Sequence, residues 1–597
     1  MTVSLWGKMA VLFIGRERGS RLVSMFRRAF HLIILIALCS LPSALAAASK
    51  PNVILITLDS TRADRMGFLG SRGKLTPSLD GLAQNGIVFE KAYTQAPLTV
   101  TSHATILTGN YPQTIQVSEF GTPLSPSLPY LPDLFHGKGY QTGAFVGSIA
   151  LDPRNGFAPG FDRGFDAYDA GFHQPLNGEN RYMSVERRGD QVVARAIAWV
   201  TKNAGGPFFL WVHLNDPHAP YGASYDSAVK TADVAVGKLL GALRAQKLYD
   251  DAVIVVAADH GESLGTHGEE THGVFLYEET THVPLLVKLP KNQLAGKRVA
   301  GRVRLVDVAP TVMEAAEAPV PSQMQGQSLL RIAKSGSNAD QPVYARSDFP
   351  QRGFGWSGLQ SWIAGKYLYI RAPKAELYDL SADPGATKNL AQSSKGTLDT
   401  IAGQLESFNQ HFSQGGKSGG TELSTTEMQK LASLGYVGLQ KNAGASITAT
   451  GTDPKDEIAT ANKIQNALSD VDGGQPDKAI AALQPIVAKK ADIYLAQYGL
   501  GVANVQQQHF PQAVEHLHKA IELQPDSSWA HYYMGLSLLK TGDFKTAAVH
   551  LEIATSRLAE CGSAHDLLAQ AYEKLGRADD AKKEKSKALQ FGAKAGR

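Results

Sequence analysis

Between Val253 and Glu262 the chain reads VIVVAADHGE. Val253, Ile254, Val255 and Val256 follow one another with no polar residue between them, where a half-exposed strand would alternate. The run predicts a strand buried on both faces. It ends in Asp259-His260-Gly261, an acid and an imidazole side by side where the strand stops. Two further runs end in the same way. Val53 to Leu58 leads into Asp59, and Phe208 to His213 leads into Asp216-Pro217-His218. As parallel neighbours these strands would bring Asp59, Asp216, His218, Asp259 and His260 to one edge of a sheet, outside the strand carboxyl ends where α/β proteins bind ligands. Mixed oxygen and imidazole donors suit zinc or manganese better than calcium. From about residue 50 to residue 412, such runs alternate with helical patterns and Gly/Pro turns, which is an α/β pattern.

Beyond residue 412 the pattern changes. Residues 413–422 and 442–455 are rich in Gly, Ser, Thr and Ala, and 413–455 reads as a linker. From about residue 456 to residue 593 the chain repeats itself. Ala479, Ala513, Ala547 and Ala581 are each 34 residues apart, as are the pairs Gly501/Gly535 and Phe510/Phe544. That is the period of tetratricopeptide repeats, two antiparallel helices per unit. Small residues at fixed positions allow close helix contact, and the phenylalanines are expected to fill the gap between helices. An all-α repeat domain that folds as a separate unit and holds a protein or peptide follows, so a chain ending near Phe412 is expected to keep activity on a small substrate.

Charge narrows the partners. The net charge of +4 is concentrated before residue 47, where six basic residues stand against Glu17 and give +5; the remainder is then near −1. No electrostatic case for nucleic acid remains. Arg27-Arg28, the apolar run Phe30 to Leu41, and Ala44-Leu45-Ala46 have the layout of a secretory signal over residues 1–46, with Met25 a more typical start. An uncleaved membrane anchor is the alternative. The two cysteines are Cys39 and Cys561. After cleavage one remains, so the mature chain has no intrachain disulfide, and an exported protein without disulfides points to a bacterial periplasm.

Ala104 to Leu107 is helix-compatible, with Gly109 as its C-cap, which sets Thr99 or Thr101 at the helix N-terminus. That end attracts anions, and a hydroxyl there beside a divalent metal can act as a nucleophile.

From about Lys50 to Leu390 the sequence resembles the sulfatase family of the alkaline phosphatase superfamily. The resemblance is carried by PNVILITLDSTRADRMG, Thr76-Pro77-Ser78-Leu79-Asp80, Ile106-Leu107-Thr108-Gly109, DPHAPY, DHGESLGTHGEETHGVFLYEE with HVPLLV, VDVAPTV, and ELYDLSADPGATKNL. It implies a sandwich with a central mixed sheet flanked by helices and a small α+β subdomain over residues 342–412. It also implies an ester hydrolase, or a transferase, acting on a small anionic ester. Asp59, Asp259 and His260 match metal ligands, and Thr99 matches the nucleophile, itself a ligand. His218 and His267 match residues that bind the anionic group, and His272 stands near the family's active-site lysine. Tyr277-Glu278-Glu279 matches structural positions.

Three departures bear on the chemistry. Thr99 stands where sulfatases convert Cys or Ser to formylglycine, so no formylglycine is expected. His103 replaces the motif arginine and is counted with Thr99 and His218 as catalytic. Ser60 replaces a second aspartate and joins His218, His267 and His272 at the substrate. With His260 as the last ligand, this set resembles relatives that use threonine on phosphate esters. The expected enzyme is therefore a hydrolase of phosphate or sulfate esters with a covalent threonine intermediate, holding zinc or manganese, with calcium as the alternative. A true arylsulfatase-like enzyme and a degenerate enzyme serving as a repeat-based scaffold are the other two readings.

Overall fold

The computed structural model describes residues 50–591 apart from 119–120, 155–156, 171–186, 337–339, 414–423, 435, 437–446 and 448. The secretory-signal reading lies outside the described residues. Among the described residues no helix is long and apolar enough to cross a membrane.

Among the described residues eight strands form the central sheet: β1 (Val53–Leu58), β2 (Ile87–Tyr93), β3 (Gln141–Phe145), β4 (Ala167–Asp169), β5 (Phe208–Leu214), β6 (Val253–Ala258), β7 (His282–Lys288) and β8 (Lys297–Arg304), in the order β4-β3-β5-β1-β6-β7-β2-β8. β1 lies between β5 and β6, parallel to both, with Leu58 opposite Leu214 on one side and Ala258 on the other. Every residue of these three strands is buried. An unbroken β-branched run is stable only with both faces covered, and here each Val or Ile removed from water contributes about 1.5–3 kcal/mol. The sheet is mixed because β7 runs antiparallel to both β6 and β2.

The helices that bear on the site are α1 (Thr99–Thr108), α2 (Gly189–Asn203), α3 (Tyr225–Ala245) and α4 (Val308–Ala315). α1 ends as its sequence predicts, at Gly109 in the left-handed region with φ of 66°. A second, antiparallel sheet comprises β9 (Val343–Ser347), β10 (Leu359–Ala364), β11 (Tyr367–Arg371) and β12 (Glu376–Asp379), and α5 (Lys395–Ser413) follows it. Trp362, Tyr369 and Leu377 of this sheet share a core with Ile401 and Leu405 of α5.

Within the stretch read as a linker, α6 (Thr425–Ser433) is helical. Ser424 and Glu427 form a capping box at its start, a Ser-x-x-Glu signal present in the sequence. Leu431 and Tyr436 are buried against the repeats.

Among the described residues the C-terminal region forms four helix pairs, the first of them in the place read as a degenerate repeat: α7 (Pro454–Asp472) with α8 (Pro476–Lys489), α9 (Tyr494–Gln506) with α10 (Phe510–Leu523), α11 (Ser528–Thr541) with α12 (Phe544–Arg557), and α13 (Gly562–Lys574) with α14 (Ala578–Gln590). The periodic small residues do what the pattern predicts. A Cβ on Gly501 would stand 2.6 Å from Leu517, and one on Gly535 would stand 2.4 Å from Leu551, so the same close approach recurs 34 residues later. Phe510 and Phe544 are only half-buried, at the first residue of their helices, and do not fill the helix gap as expected.

The repeats are also not a separate body. Ala461, Ile464 and Leu495 share one apolar core with Phe275, Tyr277, Phe354 and Trp356. Arg352 pairs with Asp526 at 3.0 Å, and Phe157 stacks on Trp529 with ring centroids 5.5 Å apart. A chain cut at Phe412 would expose this core, which counts against the expected self-sufficiency of residues 50–412.

Candidate active site

Parallel pairing sets the site. Asp59 N–H donates to the Leu214 carbonyl at 2.9 Å and Asp259 N–H to the Leu58 carbonyl at 3.2 Å, so both acids leave their strands at one level. Ser60 follows with φ of 48°, unusual for a residue with a side chain. Three bonds hold it there: its N–H donates to Asp259 Oδ1 at 3.1 Å, its hydroxyl donates to Asp59 Oδ1 at 2.9 Å, and its carbonyl accepts from the Tyr225 hydroxyl at 2.7 Å. Ser60 thus orients both carboxylates from behind.

That leaves one oxygen of each carboxylate. Both are buried; Asp259 Oδ2 has no hydrogen-bond partner among the described residues, and Asp59 Oδ2 faces His213 Nε2 at 3.2 Å. Asp59, Asp259 and His260 offer one ligand atom each within 4.8 Å of one another. His260 Nδ1 lies 2.9 Å from the Gly261 carbonyl, which can only accept, so the proton sits on Nδ1 and Nε2 carries a lone pair. Burial keeps this imidazole neutral by pushing its pKa well below the ordinary value, and His272 adds to the effect. Nε2 is 3.3 Å from Thr99 Oγ1 and 3.6 Å from Asp259 Oδ2.

The two acids titrate oppositely. Burial opposes ionisation of Asp59, but His213, His218 and His260 outweigh it and hold Asp59 below the usual carboxylate range. Burial, then the charge on Asp59, pushes Asp259 well above it. Two carboxylates, a neutral imidazole lone pair and a hydroxyl fit a divalent metal, and a cation held by these groups would allow both acids to be charged.

Thr99 is the first residue of α1, and its position there rests on His103. His103 Nδ1 lies 2.8 Å from the Thr99 carbonyl, and its Nε2 lies 2.9 Å from Thr57 Oγ1. Trp211 Nε1 donates to the same Thr57 oxygen at 3.0 Å. Burial lowers the His103 pKa to about 3 and His213 adds to this, so the ring is neutral. One proton arrangement then satisfies all: Trp211 N–H to Thr57, Thr57 O–H to His103 Nε2, and His103 Nδ1–H to Thr99. His103 is fully buried with both nitrogens spent inside the protein. It does not reach a substrate oxygen, contrary to its assignment beside Thr99 and His218 as a catalytic group. The other threonine weighed for that helix end, Thr101, donates to the Val117 carbonyl at 3.2 Å.

Two more histidines reach the site. His272 lies with its ring centroid 4.3 Å from that of His260 and 5.3 Å from that of His218. His218 Nδ1 is 2.6 Å from the Ala219 carbonyl. His267 is turned elsewhere: Nδ1 lies 2.5 Å from Glu279 and Nε2 3.3 Å from the Ala386 carbonyl, and the ring stacks on Tyr277. Both nitrogens are occupied, so His267 does not bind the anion as expected. Asp216 also turns away, accepting from Gly189 N–H at 3.0 and 3.1 Å.

The sequence reading missed two residues. His213, inside β5, places Nε2 3.2 Å from Asp59 Oδ2 and forms a second ligand-like group with His103 and Asp259. Glu262 is buried and lies 3.1 Å from His272 Nδ1, which fixes that ring. Its signal was present in the DHGE string, three residues past Asp259.

Residues 51–318 match the family model for sulfatases, and residues 271–411 match the one described as N-sulphoglucosamine sulphohydrolase, C-terminal. Residues 501–542 and 532–591 match tetratricopeptide repeat models. The chain is a sulfatase-family hydrolase with C-terminal tetratricopeptide repeats. Similar proteins include the ulvan-active sulfatase of Formosa agariphila, 24% identical over 413 residues, covering 60% of this chain and 80% of that one. Arylsulfatase K of Gallus gallus is 25% identical over 447 residues, covering 60% and 82%. The phosphonate monoester hydrolase of Agrobacterium radiobacter shares the fold at a TM-score of 0.51 and 20% identity, covering 61% of this chain and 96% of that one. The first repeat pair, α7 with α8, lies between the sulfatase matches and the repeat matches.

Proposed function

We propose that the sulfatase domain hydrolyses small anionic esters with Thr99 as nucleophile, and prefers phosphate-type esters to sulfates. The observation that carries this reading is the Thr99 hydroxyl at the N-terminal end of α1, 3.3 Å from His260 Nε2 and beside the two buried carboxylates of Asp59 and Asp259. Threonine cannot give the aldehyde that sulfatases of the formylglycine type use, so its hydroxyl must attack as it stands. Asp59, Asp259, His260 and Thr99 would hold zinc or manganese, with calcium as the alternative. When bound, the ion supplies a lowered hydroxyl pKa and positive charge beside the attacked group.

The protein's own groups do the rest. The Thr99 hydroxyl first releases its proton to solvent; its oxygen then bonds to phosphorus while the bond from phosphorus to the ester oxygen breaks, and that oxygen departs with a proton from the protonated His218. The N-terminal end of α1 favours the negative charge of the phosphothreonine so formed. Water then gives a proton back to His218 as its oxygen bonds to phosphorus, the bond to the threonine oxygen breaks, and that oxygen takes a proton from solvent to restore the hydroxyl. His272, tied by Glu262, faces the nonbridging oxygens. The exported, periplasmic setting rests on the basic, apolar and small residues before Ala47. A protein or peptide partner would use repeat surface that the sulfatase domain leaves uncovered.

The second reading is sulfate-ester hydrolysis, favoured by the names of the similar proteins, two of which are sulfatases. Metal-supplemented turnover of an aryl phosphate, a phosphate diester, a phosphonate and an aryl sulfate separates the readings. Phosphorus esters are expected to lead, Thr99→Ala to lose at least about a thousandfold in kcat, and mass spectrometry to find phosphate on the peptide containing Thr99. Aryl sulfate turnover above every phosphorus ester, or full activity in Thr99→Ala, overturns the proposal.

A further inference from the structure

The segment that carries His272 is gripped by a helix from outside the sulfatase domain. Ile458, Asn462, Gln465 and Asn466 of α7 fall at i, i+4, i+7 and i+8, on one helix face. Asn462 Nδ2 donates to the Gly268 carbonyl at 2.7 Å, while Asn462 Oδ1 accepts from Glu270 N–H at 3.2 Å. Both ends of one buried amide are therefore used, and turning it over would break both bonds. Gln465 Nε2 donates to the His272 carbonyl at 3.4 Å, and Asn466 Nδ2 donates to the Glu270 carboxylate at 2.8 Å. Ile458 fills the space beside Gly268, where a Cβ would lie 3.3 Å from it.

The segment needs such support. Gly265, His267, Gly268 and Gly273 all take positive φ; one 3-10 turn at Thr266–Gly268 and the backbone bonds Ser263 N–H to Thr271 and Gly265 N–H to Glu269, each 2.8 Å, close the segment on itself without tying it to the central sheet. Glu269, fully buried, bonds the N–H groups of Val274 and Phe275 from within. α7 supplies the bonds on the other side. Glu262 fixes the His272 ring through Nδ1, and α7 fixes the His272 backbone.

We propose that Asn462 and Gln465 are positioning residues for His272, so that the first repeat helix is a wall of the active site rather than part of an appended module. The proposal rests on the reading of His272 as a substrate-facing group. It gives the repeats a defined route to the chemistry: whatever shifts α7 shifts His272.

Hydrogen exchange and kinetics on the full chain test it together. Asn462→Leu keeps the side-chain size and deletes both amide bonds, and Gln465→Leu deletes the bond to the His272 carbonyl at a half-buried position. Exchange over residues 266–275 is expected to quicken at least about tenfold in either variant, with residues 253–259 unchanged. On the best ester, kcat should fall about tenfold to a hundredfold, the range for loss of an outer supporting partner. In a His272→Ala background, Asn462→Leu should cost nothing further, because a residue acting through His272 has nothing left to position. Unchanged exchange in Gln465→Leu, or losses that multiply independently in the double variant, overturn the proposal. If the wild-type chain turns over no ester at all, the proposed function fails, while the exchange pattern still decides whether α7 holds the segment.

Discussion

Fully buried histidines gather in two places, at the end of the central sheet and inside the repeat stack. In the repeats, His531 of α11 and His550 of α12 place their Nδ1 atoms 2.8 Å apart. His531 Nε2 lies 3.0 Å from the Pro525 carbonyl, and His550 Nε2 lies 3.3 Å from the Tyr436 hydroxyl. One arrangement satisfies every atom: the tyrosine donates to His550, His550 to His531, and His531 to the carbonyl. At the sheet edge no such arrangement exists. Asp259 Oδ2 and His213 Nδ1 lack hydrogen-bond partners among the described residues, and Asp59 Oδ2 faces His213 Nε2 at 3.2 Å. Buried polar groups in general find partners, and a cluster that does not is built for something from outside. Burial of histidine is common to both regions; the unmet bonding capacity marks only one of them as a site.

The comparison breaks most readily at the metal. With the cation removed, two carboxylates face each other at one strand edge. Chelation should abolish ester hydrolysis and lower unfolding free energy by about 4 kcal/mol if the ion was present at a thousandfold over its Kd. Asp259→Asn removes one of the facing charges, so its melting temperature should barely respond to the chelator. Elemental analysis of the purified chain should find about one equivalent of zinc or manganese, one ion on Asp59, Asp259 and His260, since the second group shares Asp259 and its His103 has both nitrogens engaged. A wild-type melting curve indifferent to chelation would place these carboxylates in the same class as the repeat pair.

What the sequence disclosed follows the same division. β1, β5 and β6 were legible because an unbroken apolar run admits one burial state, and Asp59, Asp259 and His260 were legible because they stand at the ends of those runs. His213 was hidden because a single polar residue inside a strand carries no signal until pairing sets it opposite Thr57. His267 misled because a motif match fixes a position along the chain and not the direction of a ring; with φ of 53° its ring turns to Glu279. The 34-residue period revealed each repeat's internal contacts, which are local. The seam with the sulfatase domain joins residues about two hundred positions apart, such as Asn462 and Gly268, and no periodicity reports that.

The repeat pair makes a second, smaller test through pH. Burial lowers the pKa of His531 to about 4 and pushes His550 well below the ordinary value. Both are neutral when folded and bind a proton more readily when unfolded. Stability is therefore fully present above pH 6.5 and is lost as pH falls towards 4, by about 3 kcal/mol for a histidine shifted that far. Unfolding curves from pH 7 to pH 4 should be less steep in the variant carrying His531→Gln and His550→Gln than in the wild type, whatever the other groups do. Ester hydrolysis near neutral pH should be the same in both. Equal slopes would mean that the pair is not held neutral.

The smallest test asks whether close packing closes the repeat region as tightly as its hydrogen bonds do. Gly535 lies on α11 against Leu551 of α12, where an added Cβ would stand 2.4 Å from a leucine with no exposed surface. Gly241 lies on α3 with nothing within 4 Å of its added Cβ. Both substitutions gain the same helix propensity, about 0.5–1 kcal/mol. At Gly535 that gain is outweighed, because the leucine must leave its rotamer or the helices must part, at about 1–3 kcal/mol. Gly241→Ala should therefore stabilise and Gly535→Ala should destabilise by about 1–2 kcal/mol. Since Gly501 faces Leu517 in the same way one repeat earlier, Gly501→Ala should behave as Gly535→Ala does. Urea unfolding monitored by the helical signal reads all three. A Gly535→Ala protein as stable as Gly241→Ala would show that the helix pairs separate at no cost, and that hydrogen bonds, not packing, close this part of the molecule.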